Sequence, residues 1–214
     1  KDAHSMYAAI ADNAAWRLVW ALNTLKDPKG NILIDGFYDG IPPITQEEMD
    51  ALKTDIFDEE EIRKILGIEH YTDNITGDEL LTRLYYKPTC NIAGFSSGYE
   101  GDGSKTVLPA TAMAKLDFRM VPGQDPAHIA ELLRKHLDKH GFEDIEIKVL
   151  SACPAHRSDP NSPFCKAAIR TLEKVFEQPA SILCSSSGTS PMYAFCADAN
   201  IPAAMFGASS ARAN

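Results

Sequence analysis

The sequence predicts an α+β fold: an antiparallel four-stranded sheet with helices on one face over residues 1–150, followed by an incomplete α/β segment over 151–214. Three observations predict it. Residues 112–120 alternate apolar and polar, as a strand on a one-sided sheet must. Helical periodicity recurs at 13–27 and 125–141, between the strand signals. Beyond residue 158 the strand-like runs lose their alternation, the pattern of a sheet covered on both faces.

Taken in order, residues 1–10 read as extended, and "NAAWRLVWALNTLKD" reads as the first helix. Asn13 is its N-cap candidate, and "DPKG" at 27–30 stops it. Trp16, Val19, Trp20 and Asn23 follow the helical spacing, and Leu18, Leu22 and Leu25 widen the apolar stripe. "NILIDGFY" reads as a strand. Residues 39–88 are acidic and weak in strand pattern, so an insertion with two short amphipathic helices is expected there. Strands resume at "YYKPTCNIAGF" and, after a Gly/Ser-rich turn, at "KTVLPATAMAKLDFRMVP", with Ala112, Ala114, Leu116, Phe118 and Met120 on one face. Asp125 and Pro126 open the next helix, which turns Ile129, Leu132, Leu133, His136 and Leu137 to one side and ends at Gly141. "EDIEIKVL" reads as the closing strand. In the second segment Ser162 and Pro163 open a helix. "ASILC", the turn "SSSGTSP", a helix over "MYAFCADAN" and "IPAAMFG" then form a strand–helix–strand crossover.

The composition is that of an ordinary globular chain, 44% hydrophobic and 24% charged. At 214 residues it is long enough to bury a core without staples. The formal net charge of -9 argues against nucleic acid and anionic membranes as partners. No apolar run reaches the length of a membrane span. Cys90, Cys153, Cys165, Cys184 and Cys196 are scattered with no CxxC, and residues 1–10 lack a signal-peptide pattern, so a cytoplasmic protein is expected.

Few residues suggest chemistry individually. His4 sits among polar neighbours on an extended stretch, where an exposed or satisfied histidine is the favoured reading. Arg119 is either a guanidinium fork for a carboxylate or half of a weak ion pair with Asp117. Thr106 either binds a ligand or ends a loop. Thr189 lies in a turn that could seat an anion, or acts with Ser190 and Pro191 as a plain helix start. His136 and His140 have the spacing of a zinc pair but no third ligand, so a core or rim role is favoured. No GxSxG, Walker or GxGxxG motif occurs, and Cys184 has no assignable base.

Together the stretches "DAHS", "NAAWRLVWALNTLKD", "NILIDGFYDGIPPIT", "SKTVLPATAMAKLDFRMVPGQDP" and "SGTSPMYAFCADANIPAAMFG" resemble the zinc-dependent aminoacylase/carboxypeptidase/dipeptidase family, in its carnosinase-like, cytosolic nonspecific dipeptidase branch. The resemblance implies that residues 1–150 are a ferredoxin-like lid or dimerisation domain, with the helical insertion at 39–88. It implies that 151–214 are a C-terminal piece of the catalytic domain. His4 matches a lid histidine that reaches the partner subunit's active site and steadies the oxyanion. Thr106 and Arg119 match substrate-holding lid residues, the arginine on the carboxylate, and Thr189 matches a substrate-touching residue of the catalytic domain. Where relatives often carry an arginine and a second glycine, this turn reads Ser185, Ser186, Ser187, Gly188. The full-length protein is expected to hold two zinc ions and to hydrolyse dipeptides as a homodimer. The chain itself is expected to hold no metal and to be inactive, since the ligands lie outside it in the family. A stand-alone dimerisation or small-ligand-binding module and an N-acyl amino acid deacylase remain as alternatives.

Overall fold

The computed structural model describes residues 1–205. The chain forms two compact units. The first comprises Lys1–Gly40, Pro88–Met120 and Gln124–Ala152; the second comprises Ile41–Lys87, Val121–Gly123 and the residues from Cys153 onward.

In the first unit, β1 (Ala3–His4) leads into a 3₁₀ turn at Ser5–Tyr7, and α1 spans Ala14–Asn23. Asn13 caps α1 as expected, its Oδ1 accepting from the amides of Ala15 and Trp16. The buried face of α1 is not the tryptophan face. Ala21 and, just past the helix, Leu25 are buried, whereas Trp16 and Trp20 are each 56% exposed and stack on one another. A helix apolar on most sides leaves periodicity with no way to choose which side packs inward.

β2 (Thr89–Ser97) pairs antiparallel with β4 (Ala112–Arg119), from Thr89 opposite Arg119 to Ser97 opposite Ala112, with a bulge between Ile92 and Gly94. β1 pairs with β3 (Val107–Leu108) in a separate ladder, Ala3 opposite Leu108 and His4 opposite Val107. The predicted four-stranded sheet is thus replaced, among the described residues, by two two-stranded ladders. Two expected strands did not form. Residues 31–38 make one bridge, Lys26 to Ile32, and then coil through successive turns at Ile34–Phe37 and Gly36–Asp39. Residues 143–150 form no ladder; Arg134 donates to the carbonyls of Phe142 and Ile145 at the start of this stretch. α5 (Pro126–Lys139) is as expected, with Asp125 as cap and Ile129, Leu133, His136 and Leu137 buried. It closes the core with Ile32, Ile34, Phe37, Cys90 and Phe142, against which Leu116, Phe118 and Met120 of the β4 face pack.

The second unit is helical. α2 (Gln46–Leu52) starts on a capping box between Thr45 and Glu48. α3 (Glu59–Leu66) is capped by Asp58 and ends on Gly67 in the left-handed region, φ 66°. α4 (Gly77–Tyr86) is a third helix where two were expected. α6 (Pro163–Phe176) begins at Ser162, as read from the sequence. The strand–helix–strand crossover is not present among the described residues. Ile182 N–H donates to Thr54 Oγ1 at 2.7 Å, and the Cys184 and Ala203 carbonyls accept from Ser158, so these segments are satisfied singly and not by a ladder. The expected helix over 192–200 is a five-residue π turn, Ala194–Asp198, without a side-chain cap. Residues 206 and 207 of the expected last strand lie outside the described residues.

Candidate functional site

The shortest path to a site begins at β1. Ladder pairing sets His4 opposite Val107, and the Ser5 amide donates to the Thr106 carbonyl at 3.1 Å. Those two backbone contacts bring the imidazole of His4 to the hydroxyl of Thr106, Nε2 to Oγ1 at 3.0 Å, across 102 residues of sequence. Both residues are exposed. His4 also caps the 3₁₀ turn, its Nδ1 accepting from the Met6 amide at 3.1 Å. Asp2 Oδ1 accepts from the Ala110 amide at 3.0 Å and anchors the same end of the chain to the segment after β3.

Arg119 lies on the other ladder, as the last residue of β4 opposite Thr89. Its Nε donates to Asp117 Oδ2 at 3.0 Å, with both side chains about half exposed. Residues i and i+2 of a strand share a face, so the pair was legible in the sequence. What the sequence reading missed is its consequence: the carboxylate holds the guanidinium by its Nε edge. Thr189 belongs to the second unit and is exposed, in a turn where the Gly188 amide donates to Ser186 Oγ at 3.2 Å. It does not cap the π turn, whose cap position is Tyr193.

His136 and His140 form a core feature. His136 is 4% exposed, and its Nε2 meets the Thr24 carbonyl and hydroxyl at 3.1 and 3.0 Å. His140 stacks on it with ring centroids 4.2 Å apart, and its Nδ1–H donates to the His136 carbonyl. Burial, with His140 adding to it, holds the His136 imidazole below the ordinary histidine value. Cys184 is buried; desolvation and the nearby Glu48 carboxylate push its thiol up to about 11, which leaves it a poor nucleophile. Among the described residues, no three His, Cys, Asp or Glu side chains converge to hold a metal ion. The contacts described above are hydrogen bonds and ion pairs among side chains and backbone.

A family model described as the peptidase dimerisation domain (M20_dimer) matches residues 1–145. The Beta-Ala-His dipeptidase of Rattus norvegicus is 29% identical over 182 residues, 82% of this chain and 37% of the relative. The Cys-Gly metallodipeptidase DUG1 of Saccharomyces cerevisiae is 32% identical over 138 residues, 64% of this chain and 28% of the relative. Among solved structures, the M20 family metallo-carboxypeptidase Sso-CP2 from Sulfolobus solfataricus superposes with a TM-score of 0.86 at 39% identity, over 94% of this chain and 46% of that one. The chain spans less than half the length of each of these proteins. No helix of the described residues is long and apolar enough to cross a membrane. The ladder carrying His4, and Thr106 just before its second strand, fall within the matched dimerisation domain, and that match extends over most of the 214 residues: the chain belongs to the M20 peptidase family.

Proposed function

We propose that this chain provides the lid, residues 1–150, and a C-terminal part of the catalytic domain, residues 151–214, of a cytoplasmic, homodimeric, zinc-dependent dipeptidase. The observation that carries the reading is the contact between His4 and Thr106, two candidate residues from distant sequence joined at one exposed point of a peptidase dimerisation domain. In this reading His4 of one subunit donates from Nε2 to the oxyanion that forms on the substrate carbonyl held by the other. Arg119, steadied by Asp117, pairs with the substrate's terminal carboxylate, a task for which a planar guanidinium is suited. Thr106 and Thr189 line the substrate. Two zinc ions serve the intact protein through ligands that these residues do not supply, so the 214-residue chain alone is expected to leave dipeptides intact.

The test uses the intact protein that carries this chain. His4→Ala is expected to lower kcat by about 10²-fold, the cost of losing one oxyanion donor, with the dimer preserved in sedimentation. A donor acting across the dimer adds a second signature. Co-expressed His4→Ala and Thr189→Val subunits pair at random, so roughly half the dimers are mixed and each keeps one complete site. About a quarter of wild-type activity should then return. Undiminished turnover in His4→Ala sinks the role; absence of complementation sinks the exchange between subunits.

A further inference from the structure

The geometry points to a tautomer lock on His4, with the Met6 amide and the Thr106 hydroxyl as its positioning groups; it deepens and rests on the reading of His4 as an oxyanion donor. A backbone N–H can only donate. The Met6 amide lies 3.1 Å from His4 Nδ1, so Nδ1 holds the lone pair and Nε2 carries the proton of the neutral ring. That proton faces Thr106 Oγ1 at 3.0 Å, and the hydroxyl oxygen accepts it.

Both partners sit on backbone held by neighbouring hydrogen bonds. The Met6 amide is presented by the 3₁₀ turn that begins directly after β1. Thr106 is held by the Ser5 amide on its own carbonyl and by the pairing of the next residue, Val107, with His4. The ring is thus fixed at both nitrogens before any substrate arrives. An oxyanion donor is effective to the degree that it needs no reorganisation at the moment of reaction. At rest the Thr106 hydroxyl accepts the Nε2 proton; a charged oxygen is the stronger acceptor and takes over that bond, while the ring, still held at Nδ1 by the Met6 amide, keeps its orientation. Beyond lining the substrate, Thr106 therefore acts through His4.

Long-range ¹H–¹⁵N correlation on the ¹⁵N-labelled intact protein, with the His4→Ala spectrum identifying the resonances, reads the tautomer directly. The expected pattern is a protonated Nε2 and a bare, strongly downfield Nδ1. A protonated Nδ1, or averaged shifts from a mixture, overturns the lock. In kinetics, Thr106→Val is expected to lower kcat about tenfold and Thr106→Ser to restore it, while in a His4→Ala background the valine adds no further loss in kcat. Equal kcat losses in both backgrounds overturn the claim that Thr106 works through the imidazole. The spectroscopic result stands whether or not His4→Ala alters turnover, so the lock and the catalytic reading fail separately.

Discussion

Arg157→Met removes the cation of the buried ion pair in the second unit. Arg157 Nε lies 2.7 Å from Glu48 Oε1 in an ion pair, and the two side chains are only 13% and 8% exposed. The guanidinium also lies over the Tyr86 ring, 5.5 Å from its centroid. Glu48 uses its other oxygen to accept from the Thr45 amide at 2.8 Å while Thr45 Oγ1 accepts from the Glu48 amide, so one carboxylate caps α2 and neutralises Arg157. Removing the cation leaves a buried charge with a single amide partner, a situation that costs about 3–5 kcal/mol. For a chain of this size each kcal/mol moves Tm by roughly 2–4 °C, so Arg157→Met is expected to lower Tm by about 6–20 °C. The double variant Glu48→Gln/Arg157→Met removes the stranded charge, keeps an acceptor for Thr45 and should recover most of the loss. Lys64→Met is the control: its partner Glu60 is i−4 on α3, the pair is 71% and 66% exposed, and no resolvable change in stability is expected. Urea unfolding together with hydrogen exchange at the amides of α2 gives the magnitudes. A loss below about 1 kcal/mol for Arg157→Met would mean that water reaches the pair and that burial has been misjudged.

Other outcomes follow from the same structure. His136 has a folded-state pKa below the ordinary value of 6.5, so the unfolded chain binds its proton more readily. Its contribution is complete above about pH 6.5 and is lost as pH falls through the lower folded value. Asp35, Lys139 and His140 surround it, and His136→Gln should flatten this acid limb in a pH series of urea midpoints; an unchanged slope refutes the assignment. Alkylation with iodoacetamide near neutral pH should modify the half-buried Cys153 and Cys196 well before Cys90, Cys165 and Cys184, which are buried. Peptide mass spectrometry reads the order, and fast labelling of Cys184 contradicts a thiol pushed up to about 11. Phe37 is 1% exposed and packs on Phe118 at 6.0 Å, so Phe37→Ala should cost about 3–5 kcal/mol in chemical unfolding, and a loss below about 1 kcal/mol would show that the core does not centre there.

What the residues determined by themselves is local. The starts of α1, α5 and α6 were legible because Asn13, Asp125 and Ser162 each bond to amides two or three residues ahead, a contact written into a few adjacent positions. The β4 face was legible because alternation needs no knowledge of the partner strand. The motif series around His4, Thr106 and Arg119 likewise pointed to a peptidase family without any coordinates. Tertiary structure alone decided the rest. A strand exists only if a neighbour takes its amides and carbonyls, and among the described residues no neighbouring strand pairs with 143–150. The inward side of α1 was chosen by what α1 packs against, since its own apolar surface favoured no side. Glu48 and Arg157, like His4 and Thr106, meet only because the chain folds back on itself. Bonds between residues far apart in sequence carry no local signature, and it is those bonds that bury the charge and orient the imidazole.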